Sequence, residues 1–201
     1  MSAKKYSLIT ATSMGVRITP PMRQPVGIGN SYIMQATSAE SNVLNVSASL
    51  GLETKVLTAF VKESPIAAFI KGELRRRNIG YEGPEVEQGG PWGYRHQFNI
   101  ADSGFGMRGP RVHNDRAGEV GRILKAEDFD LDRIFGEEGA EIIHLSGLFA
   151  ATAGPQKKAL AQAQEKWRGF ARAAREAADK NRRLYCSLGF LGGAALFILL
   201  C

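Results

Sequence analysis

Cysteine is scarce in this 201-residue chain, which contains two. Cys186 and Cys201 both lie in the final segment, where they form neither a disulfide framework nor a metal-ligand spacing. A reducing compartment, the cytoplasm, is therefore the expected location. The three histidines, His96, His113 and His144, also lack the spacing of metal ligands, so the sequence predicts no metal site.

Several familiar functional motifs are missing. The chain has no GxSxG motif, no P-loop and no GxGxxG, so the usual hydrolase and nucleotide signatures are absent. The net charge of +6 is mildly basic and suits nucleic acid, acidic lipid or anionic metabolites without choosing among them. The arginines at 75–77 are not interleaved with aromatic residues, so we do not expect a nucleic-acid partner.

The first half of the chain alternates between strand and helix patterns. Residues 6–11, 16–19 and 29–37 are rich in strand-forming residues. Thr37 and Glu40 have the spacing of a capping box, and the helix that it opens places Val43, Val46 and Leu50 on one face, with Gly51 at its end.

The same alternation continues further along. Residues 54–61 form a continuous apolar run, as expected of a buried parallel strand, and residues 141–147 resemble it. Ser64 and Pro65 predict a helix start, followed by an apolar stripe and three arginines that complement the helix dipole. Residues 155–179 predict an amphipathic helix. This order indicates an α/β fold with a parallel sheet.

Residues 89–119 predict a β-hairpin. Residues 94–100 alternate between apolar and polar side chains, a glycine-rich turn follows, and residues 111–116 form a second extended run. The polar face carries Arg95, Gln97 and Asn99 in the first arm, with Arg111, Asn114, Asp115 and Arg116 in the second. Such a face suits a lid over an anionic ligand rich in hydroxyl groups. The alternative is a surface hairpin whose charges are solvated.

The helix that begins near residues 37–42 is a second candidate site. A helix N-terminus offers unpaired backbone N–H groups and the positive end of a dipole. Ser38, Ser41 and Asn42 lie there as hydroxyl and amide partners. The alternative is that these side chains cap the helix and bind no ligand.

The last stretch differs from everything before it. Residues 184–201 carry no charge and follow the basic segment Lys180-Asn181-Arg182-Arg183. Their length is close to that of the shortest transmembrane helices, with the basic flank expected to face the cytoplasm. A membrane-anchoring tail is therefore one interpretation of this segment.

Taken together, these stretches resemble the PfkB (ribokinase-like) carbohydrate kinases, and among them the 2-keto-3-deoxygluconate kinases. The resemblance covers roughly residues 6–181, which is most of the chain. The segments that carry it are MGVRITPP, the helix–strand–helix region SAESNVLNVSASLGLETKVLTAFVKESPIAAFIKGELRRRNI, the hairpin GPWGYRHQFNIADSGFGMRGPRVHNDRAGEVG and the acidic DFDLDRIFGEEGAEIIHLSG.

The resemblance implies a ribokinase-like three-layer α/β sandwich with a small β-lid, whose strands fall at about residues 29–37 and 92–116. It implies that a sugar acid lies between this lid and the turn at residues 37–42. The implied substrate-binding residues are Ser38, Asn42, Tyr94, Arg95 and Arg116, with Arg116 suited to the substrate carboxylate. In the family the Gly-Gly pair begins the sugar turn, whereas this chain has Thr37-Ser38.

The family uses ATP and Mg²⁺ to phosphorylate a sugar hydroxyl. A homodimer through the β-lid is a further expectation from the resemblance. Its members continue with a second half that carries the anion hole, the catalytic base and most of the ATP site. None of this is present in the 201 residues, so no catalytic residue is predicted and the chain is expected to be truncated and inactive. We therefore divide the chain into a kinase portion, 1–181, and an aberrant hydrophobic tail, 182–201, which suggests a frameshift. The alternative is a non-catalytic sugar-binding or membrane-tethered remnant.

Overall fold

The computed structural model describes residues 4–146 and, further along, residues 165–166, 168–169, 172–173, 175–177 and 179–180. The chain forms two compact units, Met1–Ala161 and Gln162–Cys201. All described residues of the second unit are helical, which agrees with the helix predicted at 155–179. The tail predicted at 182–201 lies outside the described residues. In the part that is described, no helix has the length and apolar character needed to cross a membrane.

Residues 4–146 fold into strands, two α-helices and short helical turns. The strands are β1 Tyr6–Ala11, β2 Gly15–Thr19, β3 Ile33–Thr37, β4 Thr54–Leu57, β5 Phe60–Val61, β6 Ile79–Glu82, β7 Glu85–Val86, β8 Gln97–Asp102, β9 Arg111–Asp115 and β10 Ala140–His144. The helices are α1 Ala39–Ser49 and α2 Pro65–Arg76. Helical turns lie at Pro21–Arg23, Val120–Ile123, Ala126–Asp128 and Arg133–Glu138.

A parallel sheet forms the centre of the first unit. Its strands lie in the order β10-β1-β4-β6, and Leu8 of β1 aligns with Thr54 on one side and Ile142 on the other. One face packs on α1 and α2 through a core that includes Leu8, Leu44 and Val56. The other face packs on the turns at 126–138. The predicted α/β fold with a parallel sheet is therefore confirmed.

The predicted strand at residues 54–61 is wrong in one respect, because the chain breaks into β4 and β5. Every residue of the run is buried. At the break the N–H of Thr58 donates to the carbonyl of Glu82, and β5 then pairs with β7 in a separate two-stranded ribbon. Apolar composition predicted the burial of this segment, but it could not predict the change of partner.

Helix α1 begins one residue later than predicted. Its N-cap is Ser38, whose hydroxyl accepts from the N–H of Ser41 at 2.9 Å, while the hydroxyl of Ser41 accepts from the N–H of Ser38 at 2.9 Å. The Thr37–Glu40 capping box is therefore wrong. Glu40 is buried and turned toward the sheet, where its carboxylate accepts from the hydroxyl of Thr12 at 2.6 Å.

The face of α1 predicted to be apolar is also wrong. Val43, Val46 and Leu50 are 39%, 61% and 74% exposed, whereas Leu44 and Ala48 are buried in the core. Both sets have helical spacing, so periodicity alone could not choose between them. The reciprocal Ser38–Ser41 cap fixes the helix start so that the Leu44 side meets the sheet.

Helix α2 agrees with its prediction. The hydroxyl of Ser64 accepts from the N–H of Ala67, and Pro65 occupies the first helical turn. Ile70 and Leu74 are fully buried, and the other two members of the stripe, Ile66 and Phe69, are partly buried against the same core.

A second sheet, which we call the lid sheet, has the strand order β3-β2-β8-β9. The predicted hairpin is confirmed, since β8 and β9 are antiparallel with Ile100 opposite His113. Strand β8 begins at Gln97, later than predicted, because the N–H of Tyr94 donates to Gln88 and that of Arg95 donates to Gly118. The face that carries Val16, Ala36 and Phe98 packs on the core beside α2.

Candidate functional site

Four polar side chains form a row across the opposite face of the lid sheet. Arg17 of β2 aligns with Gln35 of β3 on one side and with Asn99 of β8 on the other, and Asn99 aligns with Asn114 of β9. Side chains alternate between the two faces of a sheet, so this set, which we call the polar row, lies opposite the Val16 face. At the usual strand spacing it spans roughly 14 Å.

Two atoms of the polar row are buried without a hydrogen-bond partner. They are Nε of Arg17 and Oδ1 of Asn99. In the described part of the chain, the side chain of Arg17 makes no hydrogen bond and no ion pair. Leaving such groups unsatisfied costs about 1–3 kcal/mol each, so an unpaired guanidinium beside neutral amides is an unusual feature. It is the arrangement expected of a site prepared for a ligand.

Helix α1 begins just beyond the polar row. Thr37, the last residue of β3, is buried and followed at once by the N-cap Ser38. The Ser38 hydroxyl is engaged in the cap with Ser41, so capping is its observed role. The side chain of Asn42 is exposed, and its N–H donates to the carbonyl of Ser38 at 3.2 Å.

A small polar cluster lies where β1 and β10 end. Thr12 and Ser146 follow these two strands, and both hydroxyls donate to the buried carboxylate of Glu40. The hydroxyl oxygen of the neighbouring Ser13 is buried and has no partner. The carboxyl ends of parallel strands are where ligands bind in open α/β sheets, which places this cluster at the expected edge. Nothing in the sequence pattern marks Glu40 beyond its helix-start position.

Tyr94 and Arg95 lie in the connection before β8. Tyr94 is 39% exposed. Arg95 donates from Nε to the carbonyl of Ala117 at 2.7 Å, and its Nη2 lies 3.5 Å from Oδ1 of Asp115. The guanidinium of Arg95 therefore ties the two arms of the hairpin together.

Arg116 already has an acidic partner. Its Nε and Nη2 donate to the two carboxylate oxygens of Glu119 at 2.8 and 2.7 Å. The Glu119 side chain is 2% exposed, so the pair is largely shielded from water. The predicted site residues therefore fall in different places: Ser38 and Asn42 lie at α1, and Arg95 and Arg116 lie at the chain that follows β9. Tyr94 precedes Arg95, and its N–H donates to Gln88.

Arg17 was not among the site residues predicted from the sequence. The only available signal was an arginine between Val16 and Ile18 in a strand, which by alternation had to face away from the apolar side. Asn99 and Asn114 were correctly assigned to one polar face of the hairpin, but Arg111 and Asp115 were not, because the register places them on the opposite face with Ile100 and Phe98. Gln97 is buried and donates to the carbonyl of Ser13 at 3.2 Å.

The described residues also bear on metal binding. These contain no group of three or more His, Cys, Asp or Glu side chains that could hold an ion.

Solved structures of sugar kinases share this fold. The chain resembles a 2-dehydro-3-deoxygluconokinase from Thermotoga maritima, with 23% identity and a TM-score of 0.70 over 83% of this chain and 48% of that one. It also resembles a PfkB family carbohydrate kinase from Listeria grayi, with 20% identity and a TM-score of 0.71 over 81% and 48%. For a fructokinase from Xylella fastidiosa the values are 13% and 0.64 over 81% and 49%.

These likenesses establish the fold. The chain has the ribokinase-like α/β fold of the PfkB carbohydrate kinases. It spans about half the length of the structures that it matches. Residues 141–201 match the family model described as Stage III sporulation protein AB. No curated protein matches the chain.

Proposed function

We propose that this chain provides the sugar-acid-binding part of a ribokinase-like sugar kinase, of the 2-keto-3-deoxygluconate type. The observation that carries the proposal is the unpaired guanidinium of Arg17 among the neutral amides of the polar row. A guanidinium binds a carboxylate through two parallel hydrogen bonds, and amides donate to and accept from hydroxyl groups. A polyhydroxylated carboxylate supplies both kinds of partner.

Within this site we assign the carboxylate of the substrate to Arg17 and its hydroxyl groups to Asn99 and Asn114. Asn42 and the α1 N-terminus would contact the substrate on the side away from the polar row. Arg116, Arg95 and Tyr94 remain predicted contacts from the hairpin, and Ser38 remains one from the helix cap. Arg116 would have to exchange Glu119 for the substrate, which makes Arg17 the better candidate for the carboxylate.

The phosphoryl donor in the proposed reaction is ATP with Mg²⁺. A solved E. coli structure of this fold holds both. We propose that the 201 residues alone do not transfer a phosphoryl group, because the resemblance assigns the catalytic base and most of the ATP site to a second half. A homodimer through the lid sheet also belongs to this proposal, supported by exposed apolar residues of its strands, among them Ile33, Met34 and Val112. The cytoplasm is the proposed location.

A second candidate is a non-catalytic sugar-binding or membrane-tethered protein. The match of residues 141–201 to a sporulation protein model favours it, because that match covers the uncharged tail. Binding of the purified chain to phospholipid vesicles, compared with a chain ending at Asn181, distinguishes this candidate. Equal recovery of both chains in the vesicle-free fraction would contradict the membrane-tethered form.

Isothermal titration of the full chain with 2-keto-3-deoxygluconate, gluconate and glucose tests the main proposal. We expect the two acids to bind and glucose to bind at least tenfold more weakly. Arg17→Ala should weaken acid binding by about 10- to 100-fold, the scale of a lost charge-assisted hydrogen bond pair, and leave glucose unchanged. Arg122→Ala, which removes an exposed arginine elsewhere, is the matched control.

Two results would contradict the proposal in different ways. If the wild-type chain binds none of the three ligands, the sugar-binding function is wrong. If the acids bind but Arg17→Ala binds them equally well while Arg116→Ala does not, the carboxylate lies at Arg116 and the assignment of the polar row is wrong.

A further inference from the structure

A concave site lies on the other face of the lid sheet from the polar row. It is a cleft of about 530 Å³ between the β8–β9 hairpin and the loop that follows β2. Along the hairpin its lining residues are Ile100, Asp102, Arg111, Val112 and His113, and Pro25, Val26 and Arg108 complete it. Ile100 and His113 lie one residue away from Asn99 and Asn114, so the cleft and the polar row occupy opposite faces of the same strands.

One wall of the cleft is held by a charged clamp. Asp102 is 4% exposed, and its Oδ1 accepts from the N–H of Gly104 at 2.9 Å and from Nη1 of Arg108 at 2.5 Å. Nη2 of Arg108 donates to the carbonyl of Arg23 at 2.9 Å, which joins the hairpin to the loop after β2. The hydrogen bond from Arg108 lowers the pKa of Asp102, so the carboxylate is ionised and its charge is matched by Arg108.

Two side chains with hydrogen-bond donors line the cleft and have no partner among the described residues. In the part of the chain that the structure describes, the side chains of Arg111 and His113 make no hydrogen bond and no ion pair. Arg111 lies directly opposite Asp102 in the β8–β9 register, but the carboxylate of Asp102 is already satisfied. Arg111 therefore gives the cleft a net positive charge. The rest of the lining is apolar, from Val26, Ile100 and their neighbours.

We propose that this cleft binds a small organic anion with an apolar body, such as a carboxylate or a phosphate monoester. Its acidic group would lie on the guanidinium of Arg111, with the imidazole of His113 as a second donor. Its apolar part would pack on Val26 and Ile100, replacing water there. The volume lies within the range of small-molecule sites. This site is separate from the polar row, and the proposal does not depend on sugar binding.

Titration calorimetry of the full chain with phenyl phosphate tests the proposal, with inorganic phosphate and phenol as matched half-ligands. We expect phenyl phosphate to bind at least tenfold more tightly than either half-ligand. Arg111→Ala should weaken its binding at least tenfold. Val26→Asp, which places a negative charge on the exposed loop, should weaken it similarly, while Arg122→Ala and Arg17→Ala should leave it unchanged.

Three results would overturn the proposal. The first is the absence of phenyl phosphate binding to the wild-type chain. The second is binding that Arg111→Ala and Arg122→Ala weaken equally, which would indicate a general effect of surface charge. The third is loss of binding in Arg17→Ala but not in Arg111→Ala, which would place the anion on the polar row.

Discussion

Arg116 and Glu119 form a bidentate ion pair on the chain that follows β9. Two hydrogen bonds of 2.8 and 2.7 Å join the guanidinium to both carboxylate oxygens, and the carboxylate is almost fully shielded from water. A paired arginine of this kind holds a loop in place. Arg17 has no such partner in the described residues, and this difference separates the two arginines as candidates for a substrate carboxylate.

Arg116→Ala is expected to destabilise the chain. It would leave the buried carboxylate of Glu119 without its bidentate partner, at a cost of about 2 kcal/mol in the free energy of unfolding. Urea denaturation followed by circular dichroism measures this quantity. The double variant Arg116→Ala/Glu119→Ala should recover part of the loss, because no unpaired charge remains. A double variant less stable than the Arg116→Ala single variant would contradict this account.

Asn99→Leu is expected to raise stability while it removes sugar-acid binding. The Oδ1 atom of Asn99 is buried without a partner, so replacing the amide with an apolar group of similar shape should stabilise the chain by about 1 kcal/mol. Asn114→Leu, at an exposed position of the same row, is the control and should change stability by less than about 0.5 kcal/mol. A destabilised Asn99→Leu chain with intact binding would show that the amide has a structural role.

His96 is expected to make stability depend on pH near neutrality. Its buried ring joins the base of the lid sheet to β5, because Nε2 accepts from the N–H of Val61 at 3.3 Å and Nδ1 donates to the carbonyl of Met14 at 3.0 Å. Burial lowers the pKa of His96 from its usual 6.5. Protonation of Nε2 would place its N–H opposite the N–H of Val61, so the hydrogen bond between them would be lost.

The sign of this effect follows from linkage. The unfolded chain takes up the His96 proton at a higher pH than the folded chain, so stability is complete above about pH 6.5 and falls as the pH drops through the folded pKa. Urea midpoints measured between pH 7.5 and 5 should decrease for the wild type. His96→Phe should flatten this slope, and His113→Asn, at an exposed histidine, should not. An unchanged slope in His96→Phe would assign the dependence to another group.

Glu138 is expected to control stability in a more acidic range. Burial acts to raise the pKa of Glu138, but hydrogen bonds from Lys55 and Lys5 hold it below its usual 4.5. Its contribution is therefore complete above about pH 4.5 and is lost as the pH falls through the lower folded value. Glu138→Gln should show a smaller loss of stability between pH 5 and 3 than Glu141→Gln, an exposed control on β10. Equal losses would contradict this role.

Most of the fold could be predicted from the sequence, because the sequence patterns that indicate its strands and helices are local. Alternation predicted the β8–β9 hairpin, and Ser64 with Pro65 predicted the start of α2. The apolar face of α1 was not predictable in this way, since two stripes of equal spacing compete and only contact with the sheet selects Leu44 over Val46. Periodicity therefore indicates that a helix is amphipathic more reliably than it indicates which side is buried.

The candidate site was accessible only in part. Asn99 and Asn114 share a hairpin, so their common face follows from short-range pairing. Arg17 belongs to a strand far away in the sequence, and only the β2–β8 register brings it beside Asn99. The ion pair between Arg116 and Glu119 differs from this, because the two residues are only three positions apart and their pairing could have been predicted from the sequence.

The clamp between Asp102 and Arg108 also determines which chemistry each side of the lid sheet presents. It closes the β8–β9 connection at a fixed length, and thereby sets which residue of β9 stands opposite each residue of β8. A shift of one residue in the β8–β9 register would exchange the two faces of β9. His113 would then lie beside Asn99, and Asn114 would face the cleft. The specificity of both surfaces therefore depends on the number of residues in one turn, and an insertion there would change ligand preference without altering any contact residue.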